Sequence, residues 1–235
     1  MMIIALIKKH LTLSVKVLLG LVAVLAPASM YMIFAYAPIE VSMGAPQKIF
    51  YYHVPIAAFC YAGLFICFAG SAAYLYTGDE DFDAFALCGA EVGTLFITLT
   101  LATGMLWGRP SWGAYWTWDP RLTTSLVLWL IYAGYLILRS QVEEHTMRAK
   151  YAAVMGIVGF VDVPIVHFSV QLWTRGIHPK LDTAAADHGM DPMMLNTLKV
   201  CLPAVALIFL LLFAARLNYE FIHRSLERLK TPPRA

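Results

Sequence analysis

The 235-residue chain is 60% hydrophobic and only 14% charged, far from the roughly one quarter charged residues of soluble globular domains. Its formal net charge of +2 is dispersed along the chain, which excludes the dense basic patch that nucleic acid requires. Such a composition belongs in lipid, and at roughly 20 apolar residues per span the length accommodates six spans with short connections.

Six apolar runs follow in chain order, at about 11–36, 52–77, 84–107, 122–138, 151–173 and 196–217. Each is predicted to be a helix, because hydrocarbon offers backbone N–H and C=O groups no outside partner. Lys8 and Lys9 ahead of the first run, with Ala26-Pro27-Ala28 near its end, resemble a secretory leader. The run outlasts a leader's apolar region and is long enough to span, so it reads as the first helix. No repeat or domain boundary appears, and residues 1–235 read as a single membrane domain. Cys60, Cys67, Cys88 and Cys201 sit singly in apolar stretches, in neither CxxC nor CxxCH spacing. They read as small buried apolar residues.

Lysine and arginine bias sets orientation. With both termini inside, the inner face carries Lys8, Lys9, Lys16, Arg139, Arg148, Lys150, Arg216, Arg224, Arg228, Lys230 and Arg234. The outer face then keeps Lys48, Arg109, Arg121, Arg175, Lys180 and Lys199. The expected fold is therefore an all-α integral membrane protein of six transmembrane helices with both termini cytoplasmic. Connections 37–51, 108–121 and 174–195 share the outer face.

Four of the six tryptophans, Trp107, Trp112, Trp116 and Trp118, crowd into the second of these connections and the residue just before it. An interfacial aromatic belt is one reading, but a belt needs neither this density nor the interleaved Gly108, Pro110 and Gly113, which are expected to force irregular backbone. The other reading is a flat aromatic surface for a large planar ligand, since tryptophan combines wide stacking area with one polar N–H. Arg121 has the guanidinium fork that matches a carboxylate. Asp119 reads either as part of this surface or as a cap or ion-pair partner of Arg109 or Arg121.

Histidines flank this segment. His53 lies in Phe50-Tyr-Tyr-His-Val-Pro55, with Pro55 suited to a first helical turn, and His178 follows the fifth span. Imidazole is a frequent axial ligand of haem iron, and two such rings beside an aromatic surface suit a porphyrin, although each alone reads equally as an interfacial histidine. His167 lies about 9 Å inside the fifth span at 1.5 Å per residue, where a hydrogen-bonded packing role suits it better. Glu91 and Asp162 are further intramembrane acids, expected to face the bundle. His10, His145, His188 and His223 fall in tails or loops and read as incidental.

The run Trp-Gly-x-x-x-Trp-Gly-x-x-Trp-x-Trp-Asp-x-Arg-Leu-Thr from Trp107, with Tyr-x-His-Val-Pro from Tyr51 and Pro-Ile-x-His-x-Ser-Val from Pro164, closely resembles cytochrome c maturation protein C, a haem-handling family. The resemblance spans essentially the whole chain, and the tryptophan signature is shared with larger haem lyase proteins. It implies that His53 and His178 are outward axial ligands of a non-covalent haem b, and that 107–121 is the tryptophan-rich WWD domain. Trp107, Trp112, Trp116, Trp118 and Asp119 would then form the haem platform, and Lys48 and Arg121 would meet the propionates. Pro120 and Lys48 stand where the family more usually has Ala and Arg.

The resemblance further implies a protein of the bacterial inner membrane with its functional loops in the periplasm. It would deliver haem to the periplasmic chaperone, the E protein, during c-type cytochrome biogenesis, acting with A and B subunits of an ABC transporter and the small D protein. That is haem transfer rather than conventional enzyme catalysis. The alternative is a transporter subunit that moves haem through the bilayer, with Glu91, Asp162 and His167 as its inner polar groups.

Overall fold

The computed structural model describes residues 2–173 and 190–230, with side chains from His10 onward. It is helical throughout, and among the described residues the sole extended pairing is an isolated bridge between Glu40 and Gly44. The helices are α1 (Met2–Tyr31), α2 (Phe50–Thr77), α3 (Glu80–Trp112), α4 (Pro120–Gln141), α5 (His145–Phe160), α6 (Asp162–Leu172) and α7 (Pro192–Lys230). A π turn, Met32–Tyr36, extends α1, and a 3-10 turn, Ala45–Ile49, leads into α2. Among the described residues six segments are long and apolar enough to cross a membrane, α5 and α6 together forming the fifth.

Local chemistry explains the boundaries. Gly78 and Gly113 end α2 and α3 in the left-handed conformation, at φ 71° and 77°, which costs glycine no Cβ clash. Asp79, Asp119 and Glu144 cap α3, α4 and α5 by accepting first-turn N–H groups on their side chains, satisfying donors that helix geometry leaves over. Within the fifth span Pro164 brings no N–H to the ladder, so the helix breaks at Val161 and restarts as α6.

Two sequence expectations shift. Pro46, rather than Pro55, opens the second helical segment, and Pro55 lies inside α2. The third span also runs past Gly108 and Pro110 to Trp112, so irregular backbone is confined to residues 113–119.

The bundle is held first by close approach of α2 and α3. A Cβ on Gly63 would lie 2.8 Å from the Gly93 Cα, and one on Gly89 would lie 2.7 Å from the Cys67 nitrogen. In lipid, where apolar burial gives little drive, small residues that let backbones touch supply the association. Leu64, Cys67, Phe96, Leu128, Tyr132 and Val205 fill the centre. All four cysteines are free and buried, as expected.

Contacts also fix which ends coincide. Leu11 of α1 packs with Leu217 and Phe221 of α7, while Ile33 and Tyr51 pack with Met194 and Cys201. The start of α1 and the finish of α7 therefore lie at one end of the bundle and the tryptophan segment at the other.

The end that carries the start of α1 and the finish of α7 is tied by charge. Arg139 grips Asp83 with both terminal guanidinium nitrogens, Nη1–Oδ1 at 2.6 Å and Nη2–Oδ2 at 2.9 Å. Arg224 reaches the same carboxylate at 2.9 Å and Glu220 at 2.7 Å. Arg216 then bridges Glu220 at 2.8 Å and Glu91 at 2.6 Å, about 12 Å deeper along α3 at 1.5 Å per residue. Glu91, expected merely to face the bundle, thus has an arginine partner.

Candidate functional site

At the opposite end, the mouths of α2, α3 and α4 enclose a cleft lined by His53, Tyr61, Trp107, Trp112, Trp116 and Arg121, with Gly104 and Ser125 behind them. His53 stands one turn into α2, its Nδ1 2.8 Å from the Thr103 hydroxyl of α3. Trp107 and Trp112 come from the last turns of α3, and Trp116 from the 113–119 connection.

The rings do not form one flat surface. Trp107 and Trp112 meet edge to face at 5.1 Å and 83°, and Trp116 and Trp118 likewise at 5.7 Å and 84°, the arrangement that aromatic quadrupoles favour. Trp118 is 76% exposed and lies outside the cleft. The enclosed space is about 70 Å³, whereas pockets for drug-sized ligands run to roughly 300–1,000 Å³. A large planar ligand would therefore lie across the mouth, against the ring edges.

Arg121 reaches the cleft from the first turn of α4. Its Nη2 donates to the His167 carbonyl at 2.8 Å, while its Nε is buried with no hydrogen-bond partner. A buried donor left unmatched costs roughly 1–3 kcal/mol, and a ligand oxygen would relieve that cost. Asp119 is buried and caps α4 through the Arg121 N–H at 2.9 Å, so the capping alternative is realised. Lys48 turns away, its ammonium donating to the Phe34 carbonyl at 3.3 Å and lying 5.9 Å from the centre of that ring. Arg109 closes locally on the Gly113 carbonyl at 2.6 Å.

His167 enters this polar set through its backbone carbonyl, while its ring meets Tyr61 and Phe168 edge-on. Asp162, at the break between α5 and α6, has one buried carboxylate oxygen without a partner. His178 lies outside the described residues.

Sequence reasoning brought together His53, Trp107, Trp112, Trp116 and Arg121. It missed Tyr61, Thr103 and Gly104, whose side of the cleft lies inside two apolar spans. A polar residue beside a glycine near the end of α3 was the available signal.

Fold and cleft together define the class, a multi-pass, all-helical membrane protein. The chain belongs to the heme exporter protein C family, which matches residues 5–231. It is similar to the heme exporter protein C of Bradyrhizobium diazoefficiens, 34% identical over 199 residues, or 83% of this chain and 74% of that protein. The Escherichia coli K12 heme exporter protein C is 31% identical over 167 residues, covering 71% of this chain and 66% of that one. A ccmC-like mitochondrial protein of cytochrome c biosynthesis from Marchantia polymorpha is 35% identical over 159 residues, 67% of each chain.

Proposed function

We propose that this protein binds haem at the outer, periplasmic face of the bacterial inner membrane and presents it to a periplasmic haem chaperone during c-type cytochrome maturation. Family membership supports the coarser part, a role in haem handling for cytochrome c maturation within a haem exporter complex. The finer part rests on one observation, that His53 and the buried, unmatched Nε of Arg121 share one tryptophan-lined cleft.

Haem is the cargo, and the residues suit it. Thr103 engages His53 Nδ1, which leaves Nε2 as the nitrogen for iron. Arg121 Nε would take a propionate oxygen by a charge-assisted hydrogen bond, and Trp107, Trp112 and Trp116 would bound the macrocycle. His178 is proposed as the second axial ligand on the family pattern. The chain supplies position and electrostatics for transfer, and A, B and D subunits of an ABC exporter are its proposed partners in the membrane. Lys/Arg bias supports the orientation.

Purified protein should carry haem by its absorption spectrum, and His53→Ala and His178→Ala should each lose most of it. Unchanged haem content in both would overturn the assignment. The alternative, passage of haem through the bundle, has less support, because Leu64, Phe96, Leu128 and Tyr132 pack the centre and Glu91 is engaged by Arg216.

A further inference from the structure

Thr103 and Gly104 occupy consecutive positions on α3 and both face His53. The Thr103 hydroxyl lies 2.8 Å from His53 Nδ1 and also donates to the Leu99 carbonyl at 2.7 Å. A hydroxyl owns a single proton. Because a carbonyl can only accept, the proton that serves Leu99 is not available to the imidazole. With that proton on Leu99, the Thr103 oxygen accepts from His53 and Nδ1 carries the imidazole proton, whereas the opposite arrangement, Thr103 donating to a bare Nδ1, gives up the Leu99 bond. Gly104 leaves room for the ring, since a Cβ there would stand 3.3 Å from His53 Cε1, a contact tight enough that the ring would have to shift.

We propose that Thr103 and Gly104 are positioning residues that hold His53 in its Nδ1–H tautomer, with the ring seated against α3 and Nε2 free to bind haem iron. This rests on the reading of His53 as an iron ligand. Histidines that bind metal commonly donate their other N–H to a fixed acceptor, which sets ring orientation and raises ligand basicity. Here the acceptor is itself fixed by the backbone of the helix that bears it. Threonine hydroxyls in helices often turn back to the carbonyl four residues earlier, and Thr94, Thr98 and Thr100 on this same helix do so. Thr98 at the same time accepts the Trp129 Nε1–H from α4 at 2.9 Å, and Thr103 in the same way receives a histidine from α2.

The test uses the full-length protein in detergent. In the haem-free form, nitrogen-15 NMR of His53 should report the Nδ1–H tautomer in wild type and in Thr103→Ser. Thr103→Val, which keeps the shape and removes the hydroxyl, should yield a tautomer mixture. In the haem-bound form Thr103→Val should weaken binding about tenfold to a hundredfold and raise the haem reduction potential, because a less basic imidazole stabilises ferric iron less. Thr103→Ser should restore both, and Gly104→Ala should weaken binding without removing the hydroxyl.

The proposal is overturned if Thr103→Val leaves tautomer, affinity and potential as in wild type while His53→Ala abolishes binding. If His53→Ala itself retains haem, the ligand assignment fails. The tautomer measurement on haem-free protein still decides whether Thr103 orients the ring.

Discussion

The two ends of the bundle handle polarity in opposite ways. At the end that carries the start of α1 and the finish of α7, Asp83, Glu91, Glu220, Arg139, Arg216 and Arg224 neutralise one another across α3, α4 and α7. At the tryptophan end, polar atoms sit buried without partners, including Arg121 Nε and Thr117 Oγ1. Burying a charge is tolerated when it is paired and hydrogen-bonded, and the first end satisfies that rule internally. The second leaves it open, and under the proposed function a haem propionate would supply the missing partner of Arg121.

Removing the centre of the paired end should have the largest effect. Asp83 is 2% exposed and serves two arginines, so Asp83→Ala strands Arg139 and leaves Arg224 with Glu220 as its carboxylate partner. Breaking a buried pair by removing one partner costs about 3–5 kcal/mol, and thermal unfolding in detergent should show a correspondingly large loss of stability. Haem bound per folded molecule should stay at the wild-type level. Full stability with haem lost would invert the assignment of the two ends.

A finer contrast lies within the tryptophan cluster. Trp116 lines the cleft, whereas its partner Trp118 is exposed outside it. Ring contacts of this kind contribute ~0.5–1.5 kcal/mol beyond area burial, so Trp116→Ala should weaken haem binding roughly twofold to tenfold. Trp118→Ala should leave the affinity of the isolated protein unchanged. Equal losses in titrations of the two variants would mean that the cluster acts as a single surface and that the cleft does not define the site.

These contrasts bear on what the sequence made legible. The spans were readable because lipid imposes length and apolarity, and their ends moved most where α1 and α7 run on into charged sequence, to Met2 and Lys230, and less where a helix continued through Pro110 or began early at Pro46. The aromatic cluster was readable because its residues are adjacent in sequence. The charge network was not, since Asp83 meets Arg139 and Arg224 only after the chain has crossed the bilayer again. Those arginines were counted for orientation alone. Thr103 was equally hidden, because a threonine in an apolar helix ordinarily satisfies its own backbone, and nothing local says that a histidine from α2 will reach it.

The smallest expected effect concerns the Glu40–Gly44 turn, where Ser42 and Met43 share a shallow recess with Trp107, Pro110, Ser111 and Trp112. The Glu40 carboxylate accepts the Met43 and Ser42 N–H groups at 2.5 and 2.9 Å. Those bonds, with Met43 the main cause, hold its pKa below the ordinary glutamate value. A depressed pKa means that the folded turn favours the ionised form. Its contribution is present at neutral pH and fades as pH falls through the folded-state value. Hydrogen exchange at Ser42 and Met43, corrected for intrinsic rates, should therefore show protection at pH 7 that declines on acidification, and Glu40→Gln should flatten the dependence. Because the carboxylate is solvent-exposed, the loss should stay local, loosening the turn beside Trp107 and Trp112 while the bundle remains intact. Protection that ignores pH in the wild type would mean that contact with the tryptophans, rather than the Glu40 carboxylate, holds the turn in place.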